Sequence, residues 1–123
     1  VNLVKKIPFD FVIDLLTVEG IVVRPMFGMH AIYAGNKIVL ILRSRSERTE
    51  TNGIWVASEK QHHESLLTEF PGLTTLALSA ETPSANSDWL LLPYVSDDFE
   101  SSAIKLCQFI NRGDMRIGKK RKR

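Results

Sequence analysis

The triplet His62-His63-Glu64 offers the first candidate chemistry in this chain. Adjacent side chains on a helix point about 100° apart, so two neighbouring imidazoles do not readily share one ion. A helical zinc site wants His at i and i+4, and His30 would complete a site only by tertiary coincidence. The triplet therefore reads as a solvated helix start, and no metal or other cofactor is expected. Cys107 would be a nucleophile only with some exposure and a base or a positive field beside it. It falls on an apolar stripe with Phe99 and Ile110, which predicts a buried, inert thiol. Asp97, Asp98 and Glu100 have the types of an acid–base pair, but a helix N-terminus explains carboxylates there without catalysis. The chain has no Gly-x-Ser-x-Gly elbow, no Gly-x-Gly-x-x-Gly and no Walker A. The stretch from Gly113 to Lys120 has two glycines and lysines, yet no strand precedes it and no helix-forming run follows. No catalytic residue is expected, and the chain reads as non-enzymatic.

The strongest local charge signal is Lys119-Lys120-Arg121-Lys122-Arg123. It makes the formal net charge of +2 misleading. From Arg116 onward there are six basic residues and no acid; the first 115 residues hold 10 basic against 14 acidic side chains, which leaves −4. The expected organisation is a mildly acidic domain over residues 1–115 and a flexible basic tail over 116–123. Such a tail binds any polyanion weakly and in a salt-dependent way. With Arg45 and Arg48 in a polar loop at 44–52, it supplies the candidate contacts of an alternative reading, nucleic-acid binding. Trp55 and Trp89 are the aromatic candidates for a ligand surface, although a strand Trp more often lies half-buried.

These residues need elements to hold them. The chain is organised around a hairpin: a strand from Met26 to Ala34, a Gly35-Asn36 turn, and the apolar run Ile38–Leu42. Before it, Phe9, Val12, Ile13 and Leu16 recur at helical spacing, so Pro8 to Val18 reads as a helix that Gly20 stops. Ile21-Val22-Val23 is a short extended lead into Arg24. The 44–52 loop has no large apolar residue and is expected to be the most mobile segment. Ile54–Ala57 is a third strand. Ser58 with Gln61 fits a capping box for a helix that runs to Phe70. Leu73–Ser79 is a fourth strand, and Trp89–Leu92 a fifth, stopped by Pro93. Asp97 with Glu100 fits a second capping box, and the last helix carries Phe99, Ala103, Leu106, Cys107 and Ile110 on one stripe until Gly113. The order α-β-β-β-α-β-β-α predicts a single two-layer α+β domain, with a mainly antiparallel five-stranded sheet and helices packed on one face.

Met26-Phe27-Gly28, a short apolar strand, Gly35-Asn36-Lys37 and a second apolar strand resemble the N-terminal domain of the competence regulator TfoX. The likeness extends to Trp89-Leu90-Leu91-Leu92-Pro93 leading into an acidic-capped helix, so it covers most of the chain. Phe70-Pro71-Gly72, followed by a Trp-containing strand, also resembles the YjbR family, less closely. The TfoX resemblance implies the same element order and a bacterial domain linked to regulation through protein contacts. It implies no catalytic residues. Arg24, Met26, Phe27, Gly28, Tyr33 and Lys37 match its motif and make a candidate functional surface. The helical domain that often accompanies the TfoX domain is missing from this chain.

At 123 residues the chain is long enough for one hydrophobic core and too short for two. No apolar run approaches the ~20 residues that span a bilayer, and Val1–Lys6 does not open a secretory signal. A lone cysteine suits a reducing compartment, so the cytoplasm is expected. Helices on one face leave the other face of an apolar sheet uncovered, which predicts a homodimer.

Overall fold

A computed structural model describes residues 7–76 and 88–120. The chain forms α1 (Phe11–Leu15), β1 (Ile21–Met26), β2 (Met29–Ala34), β3 (Lys37–Arg43), β4 (Gly53–Ala57), α2 (His63–Glu69), β5 (Thr74–Thr75), β6 (Trp89–Pro93), α3 (Phe99–Asn111) and β7 (Lys119–Lys120). The domain is α+β, with helices on one face of an antiparallel sheet. Strand order is β1-β2-β3-β4-β6-β5, and β7 pairs with β3. The described sheet has seven strands rather than five, because β1 and β7 join it.

Alternation along the strands sorts the sheet into two faces. One cross-strand row, Val23–Ile32–Leu40–Val56–Leu90–Thr75, lies under the helices. Its neighbours Leu42, Ile54 and Leu92 join Val12, Leu66, Phe70, Leu106 and Ile110 from the helices in one buried cluster. Each fully buried Leu or Ile contributes about 1.5–3 kcal/mol. Between the pairs Ile32↔Leu40 and Tyr33↔Ile38, Val39 is the extra residue of a bulge, so Val39 and Leu40 both reach this core.

The central hairpin forms as its alternation predicts, with β2 and β3 antiparallel about Gly35-Asn36. Its first strand begins three residues late. Phe27 and Gly28 both take positive φ, 51° and 79°, and form a tight two-residue turn of their own, with Met26 opposite Met29. The short lead at Ile21 is thus the start of a full edge strand, β1, where Pro25 is tolerated.

Three helix expectations change. The first helix shrinks to five residues because Phe9 turns back at φ 55° and Leu16 is already extended. So short a helix does not persist by propensity. Its exit is held from α3: Asn111 Oδ1 accepts from the Thr17 and Val18 N–H groups at 2.8 and 3.2 Å, and Asn111 Nδ2 donates to Leu15 O at 3.0 Å. Ser58 makes no capping box. It is buried, its N–H donates to Asp88 O, and a 3₁₀ turn at Lys60–His62 precedes α2. The Asp97–Glu100 box is absent too: Asp98 is the N-cap without a side-chain cap bond, and its carboxylate accepts from Ser96 Oγ. The α3 stripe is buried as read, and Gly113 at φ 76° closes it. Gly113 N–H bonds to Ile110 O and Asp114 N–H to Phe109 O, the two bonds of a Schellman stop. Of the expected 73–79 strand, Thr74–Thr75 is the part that pairs among the described residues; residues 77–79 lie outside them.

The fold does not end at residue 115. Ile117 is 2% exposed in the core, Gly118 N–H donates to Ala57 O at 2.7 Å, and Lys119 and Lys120 pair with Ile38 and Lys37. Where a flexible tail was expected from 116, residues 116–120 are part of the sheet and core. The apolar Ile117 anchors a stretch whose charge alone would keep it in water.

Candidate interaction surface

Among the described residues, no helix packs on the other face of the sheet. Across its middle runs the row Arg24–Ala31–Ile41–Trp55–Leu91–Thr74, one residue from each of six strands. Ala31, Ile41 and Leu91 are buried yet stand outside the helix-side cluster. Around them, Met26, Met29, Tyr33, Ile38, Trp55 and Trp89 are half-buried and Val22 is 43% exposed. Trp55 and Trp89 meet edge to face with centroids 6.0 Å apart, and Trp55 Nε1 donates to Thr51 O at 2.9 Å. Among the described residues, charge on this face lies at the margins: Arg24 on β1, Arg43 at the end of β3, and Lys119, which pairs with Asp88.

One end of the sheet is shaped by a side chain that sequence reasoning missed. Arg43 is 7% exposed. Its guanidinium donates to Glu47 O (2.9 Å), Arg48 O (3.0 Å) and Asn52 Oδ1 (2.6 Å). Asn52 in turn accepts from Arg45 N–H and donates to Arg45 O, both at 2.9 Å. The 44–52 loop is therefore closed by a buried cation and a bridging amide. An arginine ending the most apolar strand, followed by an apolar-free loop, was the available signal. Phe27, 88% exposed on its turn, and Val95, 85% exposed after β6, lie at this same end. A cleft of about 340 Å³ opens beside the Phe27-Gly28 turn, lined by Gly28, His30, Ser44, Arg45 and Glu47 among others.

The candidate surface from Arg24 to Lys37 is divided. Arg24, Met26 and Tyr33 share the helix-free face, Phe27 and Gly28 form the turn, and Lys37 lies at the opposite end of β3 on the helix side, near Val39 and Ile117. The candidate phosphate contacts are not brought together either. Arg45 pairs with Glu47 at 2.5 Å and Arg48 with Glu50 at 3.2 Å. Lys119 and Lys120 pair with the start of β3, whereas the 44–52 loop follows its end. Six residue steps of ~3.3 Å put these groups roughly 20 Å apart along the strand. Arg121, Lys122 and Arg123 lie outside the described residues. The basic groups form no continuous stripe among the described residues.

His63 donates to Ser58 O at 2.8 Å, and His62 lies beside Gln61. Among the described residues, no group of three or more His, Cys, Asp and Glu is placed to hold a metal ion. Burial pushes the Cys107 thiol up to about 12, so it is not a thiolate at neutral pH. Among the described residues the most perturbed carboxyl is Asp114. Hydrogen bonds from Arg116 hold it down to about 2, against 3.8 ordinarily, and Arg116 also reaches Glu69 at 3.2 Å and Ser65 Oγ at 2.7 Å. A carboxyl depressed by folding stabilises above its unfolded value and loses that contribution as pH falls through the folded one. Wild type should therefore exceed Asp114→Asn in stability at neutral pH, with the gap closing between about pH 4 and pH 2. Denaturation midpoints of both proteins across that range check it; a gap that persists at pH 2 would assign the effect to something other than this carboxylate.

Comparison of the chain with protein-family models, curated proteins and solved structures finds no match. No helix among the described residues is long and apolar enough to cross a membrane.

Proposed function

We propose that this chain is a non-enzymatic interaction domain that pairs with a second copy of itself through the helix-free face of its sheet. The observation that carries this reading is the six-strand row Arg24–Ala31–Ile41–Trp55–Leu91–Thr74, apolar in its centre and polar at its ends. Interfaces have that anatomy: a dry centre rich in aromatic residues and a charged rim. Six strands ~4.8 Å apart and about five residues of ~3.3 Å give roughly 24 by 16 Å, or about 400 Å² in projection. Ala31, Ile41 and Leu91 are already buried in the single chain, so a partner would rest on the half-buried Tyr33, Trp55 and Trp89 and on exposed Val22 around them. A twofold operator would bring this face onto itself, with Trp55 and Trp89 as its aromatic contacts. The TfoX resemblance adds a regulatory setting, with a further protein partner reached through the turn end of the sheet, and the lone thiol suits the cytoplasm.

Light scattering at micromolar concentration should report about twice the 13.9 kDa chain mass. Tyr33→Glu, a charge within the face, should return the mass to one chain without changing the circular dichroism. A single-chain mass for wild type at every concentration overturns the dimer. So does a dimer that Tyr33→Glu leaves intact.

Nucleic-acid binding is the second reading. Lys37 opposite Lys120, a like-charged pair with no ion pair among the described residues, gives it a small foothold at the β3–β7 edge. The carboxylates on Arg45, Arg48 and Lys119 weigh against it.

A further inference from the structure

The geometry points to an oxyanion-binding site in the cleft between the Phe27-Gly28 turn and the 44–52 loop, taking a small molecule with a phosphate or carboxylate group. Three observations converge there. Arg45 lies directly over Gly28: a Cβ on Gly28 would stand 1.6 Å from Arg45 Nη1. Glycine at this turn position thus opens the space into which the guanidinium folds. Only Nε of that guanidinium is engaged, by Glu47, while Nη1 and Nη2 have no partner among the described residues. Two adjacent N–H groups on a planar fork match the spacing of an oxyanion's two oxygens.

The second observation is the support beneath Arg45. Both its backbone N–H and its C=O are bonded to Asn52, which is itself held by buried Arg43. A site held this way loses little order on binding. The third is His30, which lines the same cleft with Nδ1 buried and unpartnered among the described residues. An unmet buried ring nitrogen costs about 1–3 kcal/mol. The fold tolerates that cost here, beside Ser44 and an underused arginine. A cleft of about 340 Å³ is more than a bare ion fills, which leaves room for an organic body behind the anionic group. Glu47 occupies the Nε edge and leaves the Nη edge to the ligand.

The experiment is an amide and arginine side-chain NMR titration at constant ionic strength, with inorganic phosphate, phenyl phosphate and benzoate as probes. Saturable shifts are expected at Gly28, His30, Arg45, Ser46 and Glu47. Arg45→Gln, whose side chain is surface-exposed, should keep the wild-type spectrum elsewhere and lose about tenfold or more in affinity. Phenyl phosphate binding more tightly than inorganic phosphate marks an ester as the ligand class, and benzoate the tightest marks a carboxylate. Either ordering supports the site. Shifts that never saturate, that centre on Lys119 and Lys120, or that survive Arg45→Gln unchanged would overturn it.

Discussion

Ending the chain after Met115 should lower its stability by about 3–5 kcal/mol, an effect no solvated tail could produce. Most of the loss comes from Ile117, 2% exposed among the core residues. Removing a buried Ile side chain alone costs about 2–5 kcal/mol. The truncation also removes the Arg116 bonds to Asp114, Glu69 and Ser65, the Gly118 bond to Ala57, and the β7 pairing that covers the start of β3. Ile117→Ala in the full chain isolates the packing part and should give about 2–4 kcal/mol. Urea denaturation measures both, with midpoint shifts on the order of 1–2 M. A truncated chain within about 1 kcal/mol of wild type would mean that the closing strand lies outside the cooperative unit.

Arg43→Met should cost about 2–4 kcal/mol and expose the 44–52 amides to hydrogen exchange. Methionine keeps most of the apolar stem in place. It loses three hydrogen bonds from one charged group, to Glu47 O, Arg48 O and Asn52 Oδ1, and leaves those oxygens to find water. Arg43→Lys should recover little, because a single ammonium cannot reach three acceptors spread around a planar fork. Exchange rates across 44–52 separate this from a general loss of stability: in Arg43→Met the loop should open well before β3 and β4 do. Wild-type stability and loop protection in Arg43→Lys would show that charge alone, without the fork, closes the loop.

Both predictions concern residues whose roles were hidden in the chain, and the reason is the same for each. Elements set by neighbours along the sequence were legible. The α3 stripe recurs at helical spacing and ends at Gly113, where positive φ is needed; β2, β3 and β4 announce themselves by alternation and apolar runs; Pro93 ends β6. Alternation along one strand from Met26 to Ala34 would put Met26 and Tyr33 on opposite faces; the Phe27-Gly28 turn, by pairing Met26 with Met29, brings Arg24, Met26 and Tyr33 onto one. Phe27 was illegible because a turn with two positive φ values favours Gly and Asn, and a phenylalanine there reads as strand. The pairing of β1 with β2 imposes that turn against local preference.

Asn111, Arg43 and Ile117 act across the fold. Asn111 holds an exit 94 and 96 residues away, and Lys120 meets Lys37 only after the whole sheet has closed. A capping oxygen or a strand partner at such range leaves no periodic trace. By itself the sequence determined the class of the domain, its central hairpin, its last helix and the apolar character of both sheet faces, since each follows from short-range spacing and steric preference. The tertiary structure alone decided that 116–120 belongs to the fold, that the 44–52 loop is closed by a buried arginine, and that Arg45 comes to rest over Gly28 beside His30. Each of those depends on groups distant in the chain meeting at hydrogen-bond or van der Waals range.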